Sequence, residues 1–353
     1  MSSVSESESE AAERPERRKR HEGRLDHSVR DADRIRLKPD FGLRYAIFVD
    51  TEEEFDWSKP RSRDSIATSH IKFLPEFQRL ADSIGVKPCY LIDYPVADNA
   101  ESAATLAAML ADGNCTTGTQ LHAWVNPPFD EEVTTFNSFA GNLPPELERA
   151  KLEALTNRIV DAVGVRPTVY RAGRYGIGPN SAGILSSLGY AMDVSIRPQF
   201  DYSHEGGPDF GKFDPRPFWA GPGLKLIEMP LGVAYTGFLR RFGRLLYARA
   251  NARQRSILSR GGLLSRVALT PEDMPVIDVK NAIDALIGDG IQCLSFSFHS
   301  PSIVPGHTPY VQNSAQLSDF YRWWEKIIDH LALRGVKPVG TDEIIAAARA
   351  TKL

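Results

Sequence analysis

Arg44-Tyr45-Ala46-Ile47-Phe48-Val49-Asp50 is the stretch on which the fold turns. Five consecutive apolar side chains, β-branched and aromatic among them, run into an acid. A short, unbroken apolar run of this kind reads as a strand buried on both faces, as in parallel sheets. Downstream, 71–84 carries apolar residues at helical spacing (Phe73 and Leu74, Phe77, Leu80 and Ala81, Ile84) and Gly85 follows as a C-cap. The next apolar run, 86–92, is a second strand. The alternation continues with helices predicted at 101–110, 145–163, 180–188, 281–287 and 318–333. Strands are predicted at 118–122, 168–171, 190–196, 225–229, 291–298 and 336–339. Seven or eight strands alternating with helices predict an α/β fold, a parallel (β/α) barrel. A doubly wound open sheet is the alternative, but no Gly-rich phosphate turn follows the first strand.

The 353 residues, 42% hydrophobic and 25% charged, are those of a globular protein. A net charge of −3 gives no electrostatic case for nucleic acid. Residues 1–40 carry ten acids and ten bases, so 1–42 is expected to be a disordered charged tail ahead of the barrel at 43–353. That opening has no apolar core of a signal peptide, and no window approaches the length of a membrane span. The expected location is the cytoplasm. Three cysteines without a C-x-x-C pair fit a reducing compartment.

In a parallel barrel, catalytic groups gather at the C-terminal ends of the strands. Four polar clusters lie at such ends. The first is Asp50-Thr51-Glu52-Glu53-Glu54-Phe55-Asp56-Trp57, where Asp50 and Glu52, two apart on extended backbone, point the same way. One carboxylate can act as a base and the other hold a cation; a solvated acidic loop is the plainer reading. The second is Gly118-Thr119-Gln120-Leu121-His122-Ala123-Trp124-Val125-Asn126, a histidine followed four residues on by an oxygen ligand. The third is Tyr170-Arg171-Ala172-Gly173-Arg174-Tyr175-Gly176, an arginine able to orient a carboxylate or simply to form a structural ion pair. The fourth, Ser295-Phe296-Ser297-Phe298-His299-Ser300-Pro301, delivers His299 as a candidate general acid.

In this order the clusters resemble the motifs of the polysaccharide deacetylase family, the NodB-homology domain, in a divergent intracellular branch. The resemblance runs from about Arg44 to the C-terminal helix. It implies a hydrolase that removes an N-acetyl group from a sugar of a glycan or glycolipid intermediate. By the same match Asp50 is the base, Arg171 its orienting partner and His299 the acid. Glu52, His122 and Asn126 are the implied ligands of a divalent metal, zinc in the first instance. Asn126 stands where the family has a second metal histidine, and Gln120 where relatives can carry another ligand. Trp57, Trp124, Tyr175 and His307 are candidate substrate contacts. Two other readings stay open: a hydrolase of a non-sugar amide, and an inactive glycan-binding barrel.

An insertion at 238–266 holds eight arginines and no acid. Phe238, Phe242, Leu245 and Leu246 share one face of a basic amphipathic helix. Such a helix suits peripheral contact with the inner membrane face and a lipid-linked saccharide. It equally suits a lid over the barrel mouth, its arginines paired with the acids of the first cluster.

Overall fold

The computed structural model describes Leu25 and residues 29–352; most of the predicted tail, 1–24 and 26–28, lies outside the described residues. The strands are β1 (Arg44–Thr51), β2 (Cys89–Ile92), β3 (Thr116–Leu121), β4 (Val169–Ala172), β5 (Met192–Asp193), β6 (Phe218–Ala220), β7 (Leu226–Glu228), β8 (Val233–Thr236), β9 (Ser265–Ala268), β10 (Cys293–His299) and β11 (Lys337–Pro338). Nine of them form one curled sheet in the order β10-β1-β2-β3-β4-β5-β7-β6, with β11 also paired to β1, and β8 and β9 form a separate antiparallel pair. In the curled sheet every pair from β10 to β7 is parallel, and only β6 runs against its neighbour β7. The predicted α/β barrel architecture holds, with β1 central and seven of its eight residues buried.

The opening of the curl between β7 and β10 is bridged by the chain that runs on from β7 into β8 and by the chain leaving β9. Leu231 N donates to Ile196 O and Gly232 N to Ser295 O; Leu269 N donates to Gly232 O and Ser297 N to Leu269 O. Gly232 fits here because a Cβ would come within 2.5 Å of Leu269 and 2.8 Å of the Ser295 carbonyl. Outside the curl, the helix Ser314–Leu333 buries Phe320, Trp323, Trp324, Ile327 and Leu331. Trp324 packs on Phe77, Phe296 and Phe298, which ties β10 to the helix Leu74–Ser83.

Part of the expected tail is structured. Within residues 29–42 the chain passes β6 and reaches the start of β10: Arg34 bridges to Phe218, Ile35 N donates to Pro217 O, Arg34 pairs with Asp214 at 2.8 Å, Ile35 and Leu37 are buried, and Lys38 O accepts from Gln292 Nε2. Two apolar side chains and one bidentate ion pair suffice to fix an otherwise charged segment along a sheet edge that would be open.

The insertion also departs from its expected form. It forms two short helices, Gly243–Arg249 and Ala252–Arg260, rather than one. The break is at Asn251, whose side chain accepts from Gln254 N while the Gln254 side chain accepts from Asn251 N. That capping box stabilises a fresh N-terminus where a continuing helix would run. Among the described residues, no helix is long and apolar enough to cross a membrane, and the three cysteines are buried and free.

Candidate active site

The strand ends converge as the alternation at β1 requires. Asp50 and Glu52 both face a cavity of about 1240 Å³ at the C-terminal end of the sheet, while Glu53, the next residue along, points into the protein. Register places Asp50 directly beside His299 on β10, and Gln120 of β3 beside Arg171 of β4.

Asp50 Oδ1 accepts from Arg171 Nη1 at 2.5 Å, and Asp50 Oδ2 lies 3.7 Å from His299 Nε2. Arg171 is itself fixed, donating from Nε to Val194 O and from Nη1 to Ser297 Oγ. Glu272, which sequence reasoning passed over, is bound to the other side of His299. Its carboxylate accepts from His299 Nδ1 at 2.7 Å, from the His299 backbone N–H at 3.0 Å and from Ser302 Oγ at 2.6 Å. Burial would lower the pKa of this imidazole. The carboxylates of Glu272, Glu52 and Asp50 outweigh it and push the pKa up to about 10, so His299 is protonated at neutral pH.

Around Glu52 lies the second group. Its Oε2 accepts from Gln120 Nε2 at 2.9 Å and is 3.5 Å from His122 Nε2. Gln120 Nε2 can only donate to His122 Nε2, 3.2 Å away, so the imidazole hydrogen sits on Nδ1 and is given to Glu53 Oε2 at 2.6 Å. Trp124 Nε1 donates to the other Glu53 oxygen, and Asp93 accepts from Glu53 N. Gly173 makes room for this imidazole, since a Cβ there would lie 2.4 Å from His122 Cδ2. Burial pushes Glu52 up to about 8 against the pull of His299 and His122.

Glu53, Asp93 and His122 offer ligand atoms within 4.8 Å of one another. In that group, however, Nδ1 and the carboxylates already satisfy one another or backbone donors, and Glu53 and Asp93 are fully buried. The cavity side is the better fit for a cation. Glu52, Gln120 and His122 all line it, Glu52 Oε1 and Gln120 Oε1 are buried without hydrogen-bond partners, and Glu53 braces the imidazole from behind.

Eight of the ten residues singled out from sequence line this cavity: Asp50, Glu52, His122, Arg171, His299, Trp57, Trp124 and Tyr175. Asn126 and His307 do not. Asn126, expected as a metal ligand, directs its amide to Pro127 O and Lys151 O. It helps build a loop in which Lys151 Nζ donates to the carbonyls of Ala123, Asn126 and Pro128. The side-chain amide beside His122 is instead that of Gln120, two residues before it in β3. His307, expected at the substrate, instead pairs with Glu54 at 3.3 Å. Trp124 stacks on His122 at 4.4 Å and is all but buried, so it serves as the floor of the imidazole. Trp57, half-buried, sets its edge against His299 at 5.0 Å and packs on Tyr310.

The cavity's outer wall comes from two segments with weak sequence signals. Arg174 and Tyr175 adopt left-handed φ values of 54° and 59°, an uncommon conformation for bulky residues that turns both into the cavity. Arg197 crosses the Tyr175 ring at 5.3 Å. Opposite them stand Tyr235, Arg241, Arg244, Tyr247 and Arg255 of β8 and the insertion. The insertion thus walls the mouth. Its arginines are not paired with the first acidic cluster, and Arg240 pairs with Asp289 instead.

No family model matches this chain, and no curated protein matches it. Solved structures do. A protein named as a candidate polysaccharide deacetylase from Mycobacterium smegmatis is 13% identical over 93% of this chain and 96% of its own, with a TM-score of 0.55. A Pseudomonas aeruginosa protein described in similar terms is 16% identical over 88% and 92%, with a TM-score of 0.49. The allantoinase PuuE is 15% identical over 89% and 93%, with a TM-score of 0.48. At such identities the likeness is one of backbone, and the first of them carries it: the fold is that of the polysaccharide deacetylases.

Proposed function

We propose that the protein hydrolyses the N-acetyl amide of a saccharide, with Asp50 as general base and His299 as general acid. The observation behind this is the facing pair itself. Asp50 Oδ2 and His299 Nε2 lie 3.7 Å apart at the ends of adjacent strands, each held from behind by a buried group of opposite charge, Arg171 or Glu272.

Water bound in the cavity gives a proton to Asp50 as its oxygen attacks the acetyl carbon. Arg171 keeps the Asp50 carboxylate turned toward that water. The amine is a poor leaving group until protonated, and the cationic His299 supplies the proton through Nε2. Glu272 holds the resulting neutral imidazole in the Nδ1–H form, ready to be recharged. Trp57 and Tyr310 cover His299 and limit competing water.

Glu52, His122 and Gln120 would hold a divalent cation, and the imidazole and carboxylate of this set suit zinc. Bound there, such an ion polarises a carbonyl oxygen and makes bound water more acidic.

The direct test is acetate release from a panel of N-acetylated sugars alongside small cyclic amides, with metal content measured by emission spectroscopy. Acetate from the sugars, about one zinc per chain after reconstitution, and loss of that zinc in His122→Ala are the expected results. Turnover of the cyclic amides alone would move the protein to the non-sugar reading. Full activity in a metal-free chain would remove the cation from the scheme.

The insertion supports a second element of the proposal, peripheral contact with an anionic membrane. Phe238 is 88% exposed and Phe242 61%, and Leu245 and Ile257 are also exposed, beside arginines 241, 244, 249 and 253. Basic residues near an anionic surface contribute about 1 kcal/mol each, weakened by salt. We expect the protein to float with vesicles containing anionic lipid at low salt and to be released at moderate salt. Failure to float at low salt would leave the insertion as cavity wall alone.

A further inference from the structure

The cavity changes sign along its length. At its inner end Asp50 is answered by Arg171 and His299 by Glu272. At its outer end three guanidinium groups line up over two aromatic rings. Arg197 lies 4.0 Å from the centroid of Phe200, Arg266 lies 3.5 Å from the same ring and 4.7 Å from Tyr247, and Arg255 lies 4.5 Å from Tyr247.

None of the three has a carboxylate at ion-pair distance among the described residues. Their hydrogen bonds go to neutral oxygens: Arg197 to the Tyr202 hydroxyl, Arg255 to Tyr247 O and Arg266 to Gln199 O. The acids on the same wall are otherwise engaged. Glu205 pairs with Arg174, Asp201 accepts from Ser203 N and Asp209 from Gly211 N. Arg241 and Arg244 of the insertion line the same cavity and add two more cations that have no ion pair among the described residues.

Like charges packed this closely repel one another, and the stacked rings compensate only in part. A neutral glycan would leave that repulsion in place. An oxyanion with several acceptor oxygens would relieve it, because guanidinium forks match phosphate oxygens in pairs. The cavity, at about 1240 Å³, also exceeds the roughly 300–1,000 Å³ of ordinary small-ligand sites, leaving room beyond one sugar ring.

The geometry points to a phosphate or diphosphate ester as part of the substrate, held by Arg197, Arg255 and Arg266 while the sugar's amide lies at Asp50 and His299. This names the substrate class of the hydrolase proposed above and rests on that reading for the amide end only. The phosphate end stands on the arginines. Either a soluble sugar diphosphate or one esterified to a membrane lipid supplies this chemistry.

Inorganic pyrophosphate is the probe, titrated calorimetrically into the whole protein at low salt. It should bind wild type and Asp50→Asn alike, and at least tenfold more weakly to the Arg255→Gln/Arg266→Gln double variant. Arg241→Gln, altered at an exposed position, serves as the variant that does not disturb packing and should weaken binding severalfold. In the activity arm, an N-acetylated sugar diphosphate should show a KM at least tenfold below that of the unphosphorylated sugar, and the double variant should erase the difference. Presenting the diphosphate free in solution or on a polyprenyl chain in neutral vesicles tells which source the enzyme prefers.

Pyrophosphate binding that is undetectable, or unchanged in both arginine variants, overturns the phosphate site whatever the activity. Binding as expected without acetate release from any sugar retains the phosphate site and overturns the hydrolase reading instead.

Discussion

Asp50→Asn is expected to reduce kcat for acetate release by at least about 10³-fold with KM little changed, since a positioned general base contributes roughly 10²–10⁴. The substitution keeps the shape and an oxygen facing Arg171 Nη1 but removes the atom that takes the water's proton. The arginine retains Val194 O and Ser297 Oγ, so the strand ends stay together. Steady-state kinetics on a confirmed substrate, with a thermal melt beside them, separate the two effects. A folded Asp50→Asn protein within about tenfold of wild type would show that the base lies elsewhere.

The second large effect belongs to Glu272. His299 must be protonated to serve the leaving amine, so activity is present below its pKa and lost as pH rises through it, about 10 in the intact protein. Glu272 supplies the leading attraction that raises it, against burial. In Glu272→Gln that charge is gone while Glu52 and Asp50 remain, so the pKa falls. The alkaline limb of kcat/KM should therefore move down, with a loss of about tenfold or more near pH 9 and a smaller loss near pH 6. A merely structural role for Glu272 would lower the melting temperature and leave the limb in place. The pH profile decides between them.

Much of this site could be read from the chain because strand ends are local objects. Apolar runs at 44–50 and 291–298 end on Asp50 and His299, and parallel pairing then sets them side by side. Likewise the period-two rule placed Asp50 and Glu52 in one cavity. What escaped was everything that depends on long-range approach. Glu272 sits in a Thr-Pro-Glu-Asp turn that reads as the prelude to a helix, and only the seam between β9 and β10 brings it to His299. Arg197 directly follows the strand predicted at 190–196, but nothing local marks its approach to Tyr175 and Phe200. Asn126, expected as a ligand from the resemblance to the family's second motif, does not line the cavity, because the chain beyond His122 leaves the strand and folds around Lys151. The missed strands β6, β8 and β9 are of three or four residues and owe their pairing to tertiary closure rather than to composition.

The seam itself has a consequence for how such a protein diversifies. The insertion hangs from β8 and β9, whose bases at Gly232 and Leu269 close the curl, while side chains of its two helices line the cavity. Closure and recognition are thus assigned to different parts of one hairpin. Lineages can lengthen, shorten or recharge the tip, and so exchange one acceptor for another, while the residues that move protons inherit an unaltered frame.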